Sequence, residues 1–125
     1  MIRKLKYTVL FLILGVVLVA QTPVKNPTVL TFTSPDHDNT LVTGYELDIV
    51  NSTTLAVVQT LNVPKSSTTK LPNGDIRIGL NVQPVNFGSY KIIARTVTAT
   101  VKSDNSVPSD TWERAPGPPS KPIPQ

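Results

Sequence analysis

Val29-Leu-Thr-Phe-Thr-Ser-Pro35, then Thr43-Gly-Tyr-Glu-Leu-Asp-Ile49, then Ser89-Tyr-Lys-Ile-Ile-Ala-Arg95 decide the fold of this chain. In each stretch the apolar residues fall at every second position, the period of a strand with one face in a core and one in water. Leu30 and Phe32 share a face in the first. Tyr45, Leu47 and Ile49 share one in the second, with Glu46 and Asp48 opposite, and Tyr90, Ile92 and Ala94 repeat the pattern in the third. Between them, Leu55 to Val63 is a further apolar stretch that ends at Pro64 and a Ser/Thr-rich loop. Asn73-Gly74 marks a tight turn. It leads into Asp75 to Val82, where Ile76, Ile78, Leu80 and Val82 alternate with polar or small residues. Val107 to Trp112 is expected to supply the last strand. About seven short strands with turn-rich joints and few helix signals predict an all-β antiparallel sandwich.

The ends differ from this body. Residues 1–20 begin with Arg3, Lys4 and Lys6 and continue as an apolar run from Tyr7 to Ala20. A basic start before a short apolar run reads as a signal peptide or a membrane-anchor helix. Ala20 is small, as a cleavage site requires, whereas Leu18 is bulky, so cleavage after Ala20 and retention as an anchor are both open. The chain is therefore expected to be secreted, or periplasmic at the cell envelope, and attached to a membrane through residues 1–20 if the leader stays. Residues 21–26 read as a linker or an edge strand. One domain covers 27–114. The tail, 115–125, holds five prolines and reads as an extended polyproline-like segment.

Charge and composition exclude several functions. The whole chain carries +4, with twelve basic and eight acidic side chains. Three of the basic ones lie in the leader, and the chain after Ala20 is nearly neutral, so nucleic acid is not an expected partner. There is no cysteine and a single histidine, His37. Thiol nucleophiles and histidine-rich zinc sites are excluded by counting. His37 sits in Pro35-Asp-His-Asp-Asn39, which reads as a solvated turn, and the glycines are too scattered for a phosphate loop. Glu46 with Asp48, and Asp110 with Glu113, read as polar faces or ends of strands more naturally than as acid–base pairs. No catalytic residue and no organic cofactor is expected.

The same residues carry a family resemblance. Phe32-Thr-Ser-Pro35, a polar loop and Val42 to Ile49 resemble the B strand, BC loop and C strand of a fibronectin type III domain. Ser89 to Val97 resembles its F strand, and Ser106-Val-Pro-Ser109 its approach to strand G. The resemblance spans about Pro27 to Arg114 and implies a seven-stranded immunoglobulin-like sandwich, with Tyr90 as the corner tyrosine whose hydroxyl returns to nearby backbone. Phe32 stands where the family usually has Trp, and the corner before Tyr90 offers Pro84, Val85 and Phe87 where a Leu is usual. Trp112 to Pro122 is similar to the end of fibronectin-like domains in bacteriophage proteins, which adds a virion surface to the expected settings.

That resemblance also brings three loops to one end of the sandwich. Asp36, Asp38 and Asn39, Asn73 and Asp75, and Asp104 and Asn105 would gather there, and oxygen ligands from several loops suit calcium. Turn chemistry alone accounts for the same residues. Trp112 is either packing for the Pro-rich exit or a platform for a sugar. Asn51-Ser-Thr53 matches a glycosylation acceptor in a turn. The expected role is a non-catalytic binding or spacer module acting through loops or a sheet edge, with a protein or surface glycan as partner. The alternatives are a carbohydrate or adhesion module and a membrane-anchored envelope protein.

Overall fold

Val42–Asn51 forms a strand of ten residues because its alternation is unbroken over Tyr45, Leu47 and Ile49, which are 2%, 0% and 0% exposed. The computed structural model describes residues 22–125. In chain order the strands are β1 (Val24–Lys25), β2 (Val29–Phe32), β3 (Val42–Asn51), β4 (Val57–Pro64), β5 (Thr68–Lys70), β6 (Ile76–Gly79), β7 (Gly88–Thr98) and β8 (Trp112–Arg114). They make two sheets, β1-β8-β7-β3-β4 and β2-β6-β5. The described chain is all-β and sandwich-like, as the alternation predicts. The predicted leader helix lies outside the described residues.

One core joins the sheets. It contains Tyr45, Leu47 and Ile49 of β3, Ile76 and Ile78 of β6, Tyr90 and Ile92 of β7 and Trp112 of β8, with Leu30, Phe32, Leu61, Val63 and Ala94 packed at its margin. Each fully buried Leu or Ile contributes about 1.5–3 kcal/mol relative to an exposed one. Phe32 meets Tyr45 edge-on, with ring centroids 5.0 Å apart. The Tyr90 hydroxyl donates to the Asn86 carbonyl at 2.7 Å, so the expected return to nearby backbone is present.

Four readings of the sequence need correction. The Ser/Thr run after Pro64 is not simply a loop: a 3-10 turn at Lys65–Ser67 swings the chain from one sheet to the other, and Thr68–Lys70 pairs with β6. Threonine's branched Cβ suits a strand without any apolar alternation to announce it. The strand expected over Asp75 to Val82 ladders only over Ile76–Gly79, although Leu80 and Val82 remain buried. The expected seven antiparallel strands become eight among the described residues and are not all antiparallel, because the edge-strand alternative for 21–26 holds at β1, which pairs in parallel with β8.

The fourth correction concerns the last strand, which ladders over Trp112–Arg114 and not from Val107. Ahead of it the chain runs beside β7 without forming a regular ladder. Ser103, Ser106 and Ser109 donate their backbone N–H groups to the carbonyls of Thr96, Ala94 and Ile92, each at 2.9 Å. Their Oγ atoms accept the N–H groups of the same three residues at 2.8–2.9 Å. This segment uses three residues for every two of β7, too many for a carbonyl to meet each N–H. The serine oxygen replaces the missing acceptor, so β7 keeps its hydrogen bonds on that side.

Candidate functional site

The connection from β4 to β5 closes one side of the sandwich, and the other side is open. There β2 ends its sheet, while the serine segment flanks β7 in the facing sheet. Between the two lies a cleft of about 720 Å³. Leu30 and Phe32 form one wall, Ile92, Ala94 and Thr96 the other, and Tyr45 and Val42 stand behind them. Leu41, Val101 and Val107 rim it with apolar surface, being 71%, 64% and 87% exposed.

The backbone of β2 faces this cleft with open hydrogen-bonding groups. Leu80 donates to the Thr28 carbonyl at 2.8 Å, and Leu30 and Phe32 lie opposite Ile78 and Ile76. In an antiparallel pair, bonded and unbonded residues alternate. Thr28, Leu30 and Phe32 therefore turn their N–H and C=O toward β6, and Val29, Thr31 and Thr33 turn theirs outward. Among the described residues no backbone bond is made to those outward groups. A bare row of donors and acceptors over an apolar hollow is a template for another strand.

At the loop end of the cleft sits a small polar cluster. The Tyr45 hydroxyl donates to Ser34 Oγ at 2.9 Å and lies 2.6 Å from His37 Nδ1. The imidazole stacks on the Tyr45 ring with centroids 5.9 Å apart and planes 6° from parallel. Burial holds the Tyr45 pKa above its ordinary value. The expectation of a solvated His37 is thus corrected: it is 8% exposed and braces the loop against the core.

The calcium expectation fares differently from residue to residue. Asp38 is held by Lys70 at 2.5 Å, and the hydrogen bond from that ammonium lowers its pKa. Asp75 accepts from Thr33 Oγ1 at 3.0 Å and from Asn73 Nδ2 at 3.1 Å. Asp36 and Asp104 both line the cleft. Among the described residues, no three Asp, Glu, His or Cys side chains come together in a way that could hold a metal ion. Two of the four carboxylates are already committed to neighbours. Trp112 lies inside the molecule, 4% exposed and 5.2 Å from Tyr90, where it offers no platform to a sugar. Its Nε1 is buried without a hydrogen-bond partner. Among the described residues the exposed aromatic is instead Phe87, which has the Arg114 guanidinium 5.1 Å above its ring.

On the outer face of β3 and β7 the carboxylates of Glu46 and Asp48 grip Arg95. Arg95 reaches Glu46 at 2.5 Å, Asp48 at 2.8 Å and Asn105 at 2.9 Å, and Lys102 adds a second cation to Glu46 at 2.8 Å. Hydrogen bonds from Lys102 and then Arg95 lower the Glu46 pKa, and one from Arg95 lowers that of Asp48. Both acids are held ionised, a state unsuited to donating a proton. The Arg95 pKa is raised by the same bonds.

Sequence reading finds the walls of the cleft, because Leu30, Phe32, Ile92 and Ala94 belong to its alternating strands. It misses the cleft itself. The available signal is one of length: only Asn26, Pro27 and Thr28 separate β1 from β2, leaving no room for a strand of ordinary length between them. Comparison of the chain with protein families, with curated proteins and with solved structures finds no match.

Proposed function

We propose that this protein is an exported, non-catalytic binding module of the fibronectin type III type that recognises an extended peptide strand laid along β2. In this reading β2, β3, β6 and β7 stand for strands B, C, E and F, and the serine segment with β8 stands for G. Among the described residues, the strand that would ordinarily precede B and cover its edge is represented by β1 alone, which pairs with β8 in the other sheet. The observation that carries the proposal is the outward-facing backbone of Val29, Thr31 and Thr33 beside an apolar cleft.

The mechanism is strand addition. Main-chain bonds to β2 supply affinity, and alternate side chains of the incoming strand drop between the sheets onto Leu30, Phe32 and Ala94. The bound protein is a component of a cell envelope or virion surface, reached by export through residues 1–20, with membrane attachment if the leader is kept. The paired carboxylates of Glu46 and Asp48 support a role without catalysis.

Thr31→Pro provides the test. Its N–H points away from β6, so proline removes a donor for an incoming strand while leaving the β6 ladder in place. A display selection of random linear peptides against the chain is expected to enrich sequences with apolar residues at alternate positions. Those peptides should lose binding to the Thr31→Pro variant while its melting temperature stays close to the parent's. Selected peptides that bind both proteins equally would sink the proposal.

A further inference from the structure

Each charge that lines the cleft can be followed to its partner. The lining holds two cations, Arg95 and Lys102, and both are paired: Arg95 with Glu46 and Asp48, Lys102 with Glu46. It also holds two carboxylates, Asp36 and Asp104. Among the described residues neither of these makes an ion pair. Two further cations reach the loop after β2, and each has its own acceptor there, Lys70 on Asp38 and Lys65 on the Asn39 carbonyl. The charge left without a partner in the cleft is therefore negative.

Both carboxylates belong to one end of the cleft. Asp36 follows β2 after Thr33, Ser34 and Pro35. Asp104 follows Ser103, whose N–H bonds the carbonyl of Thr96. Thr96 lies opposite Tyr45, and the Tyr45 ring meets that of Phe32, the last residue of β2. Asp104 is thus level with the end of β2, on the side of the serine segment, as Asp36 is on the side of β2. Toward the start of β2 the lining, with Leu30, Ile92, Val107 and Ser109, is uncharged.

This asymmetry gives an incoming strand a direction and a charge. β2, β6 and β5 pair antiparallel throughout, and antiparallel ladders are the more stable per residue. A strand added antiparallel to β2 begins where β2 ends, between Asp36 and Asp104. A cation placed there meets two opposite charges beside apolar surface, whereas an acidic residue meets like charge. We infer that the strand recognised by the cleft runs antiparallel to β2 and carries a basic side chain, arginine or lysine, at its beginning. This rests on the strand-addition reading and specifies its ligand: an uncharged segment with apolar residues at alternate positions, headed by a cation.

The test uses the full chain in a mild detergent and three fluorescent peptides of seven residues in which valine alternates with threonine. One begins with arginine, one ends with it, and one begins with glutamine in its place. All are acetylated and amidated, so that the side chain alone supplies charge. The peptide that begins with arginine should bind about fivefold more tightly than the other two, the value of a pair of partly exposed charge contacts, and the advantage should shrink as salt is raised. In the double variant Asp36→Asn, Asp104→Asn the three peptides should bind alike. Both side chains are exposed, so the variant should keep the parent's melting temperature. Equal binding of the three peptides by the parent, or an advantage for the one that ends with arginine, would overturn the inference and leave strand addition standing. An advantage that survives in the double variant would overturn it as well, by placing the cation elsewhere. Binding of none of the three, or binding that Thr31→Pro leaves untouched, would overturn strand addition itself.

Discussion

Gly44 shows how a single position can govern the pairing of two strands. It sits in β3 where the register against β7 shifts between Val42 and Gly44, and it lies opposite Pro64 of β4. A Cβ placed there would overlap the Val63 carbonyl oxygen, a backbone atom that cannot rotate aside. Gly44→Ala therefore forces β4 away from β3 and is expected to cost at least about 2 kcal/mol. For a domain of this size that lowers the melting temperature by roughly 10 °C. Gly79 supplies the contrast, because a Cβ at that position meets nothing within 4 Å. Gly79→Ala should be neutral or stabilise by up to about 1 kcal/mol through the unfolded chain. Thermal melts of the two variants decide the point, and equal melting temperatures would mean that β4 yields more easily than its contacts indicate. Asn26 works by chemistry where Gly44 works by space. Its φ of 47° is one that asparagine tolerates. Its side chain accepts from the Ala115 N–H and from Arg114 and donates to the Ala115 carbonyl, pinning the start of the domain to its end.

The serine segment does the work of a strand without being one, and its test belongs to the element. Ser106 holds Ala94 by two bonds: its N–H gives to the Ala94 carbonyl, and its Oγ takes the Ala94 N–H. Ser106→Ala keeps the first and removes the second. The cost should be about 1 kcal/mol, the net value of one such bond. Hydrogen exchange should show the Ala94 amide opening faster while Ile92 and Thr96, held by Ser109 and Ser103, change little. An unchanged Ala94 amide would mean that water replaces the serine without penalty. This element also marks the limit of what alternation reveals. β2, β3, β6 and β7 are legible because burial on one face writes a period of two into the sequence, and Leu47, Ile49, Ile76 and Ile78 follow it without exception. The serines repeat every third residue, at 103, 106 and 109, and their pairing uses side-chain oxygen, so hydropathy carries no trace of it. β5 is hidden for a related reason, since Thr68, Thr69 and Lys70 pair by backbone and present little apolar surface. His37 is hidden by its neighbours: Pro35, Asp36, Asp38 and Asn39 read as an exposed turn, and only the fold brings Tyr45 and Ser34 beside it. The candidate calcium residues were legible as loop carboxylates. That Lys70 takes Asp38 and Thr33 takes Asp75 depends on contacts 32 and 42 residues apart.

At the scale of the whole molecule, one sheet carries the cleft on its inner side and the charge cluster on its outer side. β3 and β7 supply both: Tyr45, Ile92 and Ala94 face in, and Glu46, Asp48 and Arg95 face out. The cluster is consequently a means of fixing the register of the two longest strands, since Glu46 lies opposite Arg95 and Asp48 two rungs away opposite Ile93. That role has a pH signature whose sign is set by the pKa directions. Glu46 and Asp48 titrate lower in the folded chain than their ordinary values of 4.5 and 3.8. Below those values the unfolded chain binds more protons than the folded one, so stability rises with pH there. The contribution is complete above the ordinary carboxylate range and is lost as the pH falls through the lower folded-state values. Melting temperature should thus stay level, as far as this cluster is concerned, from about pH 6 upward and decline below about pH 4. The double variant Glu46→Gln, Asp48→Asn removes both titrations and should flatten that acid-side decline, while starting from a lower plateau because Arg95 keeps only neutral partners. Lys70→Ala, which frees the exposed Asp38, should remove a smaller part of the decline, since that pair is screened by water. Melting curves of the three proteins between pH 2.5 and 7 separate these contributions. An acid limb of unchanged steepness in the double variant would show that other carboxylates set the acid stability, and that Arg95 holds the strands in register without coupling them to protons.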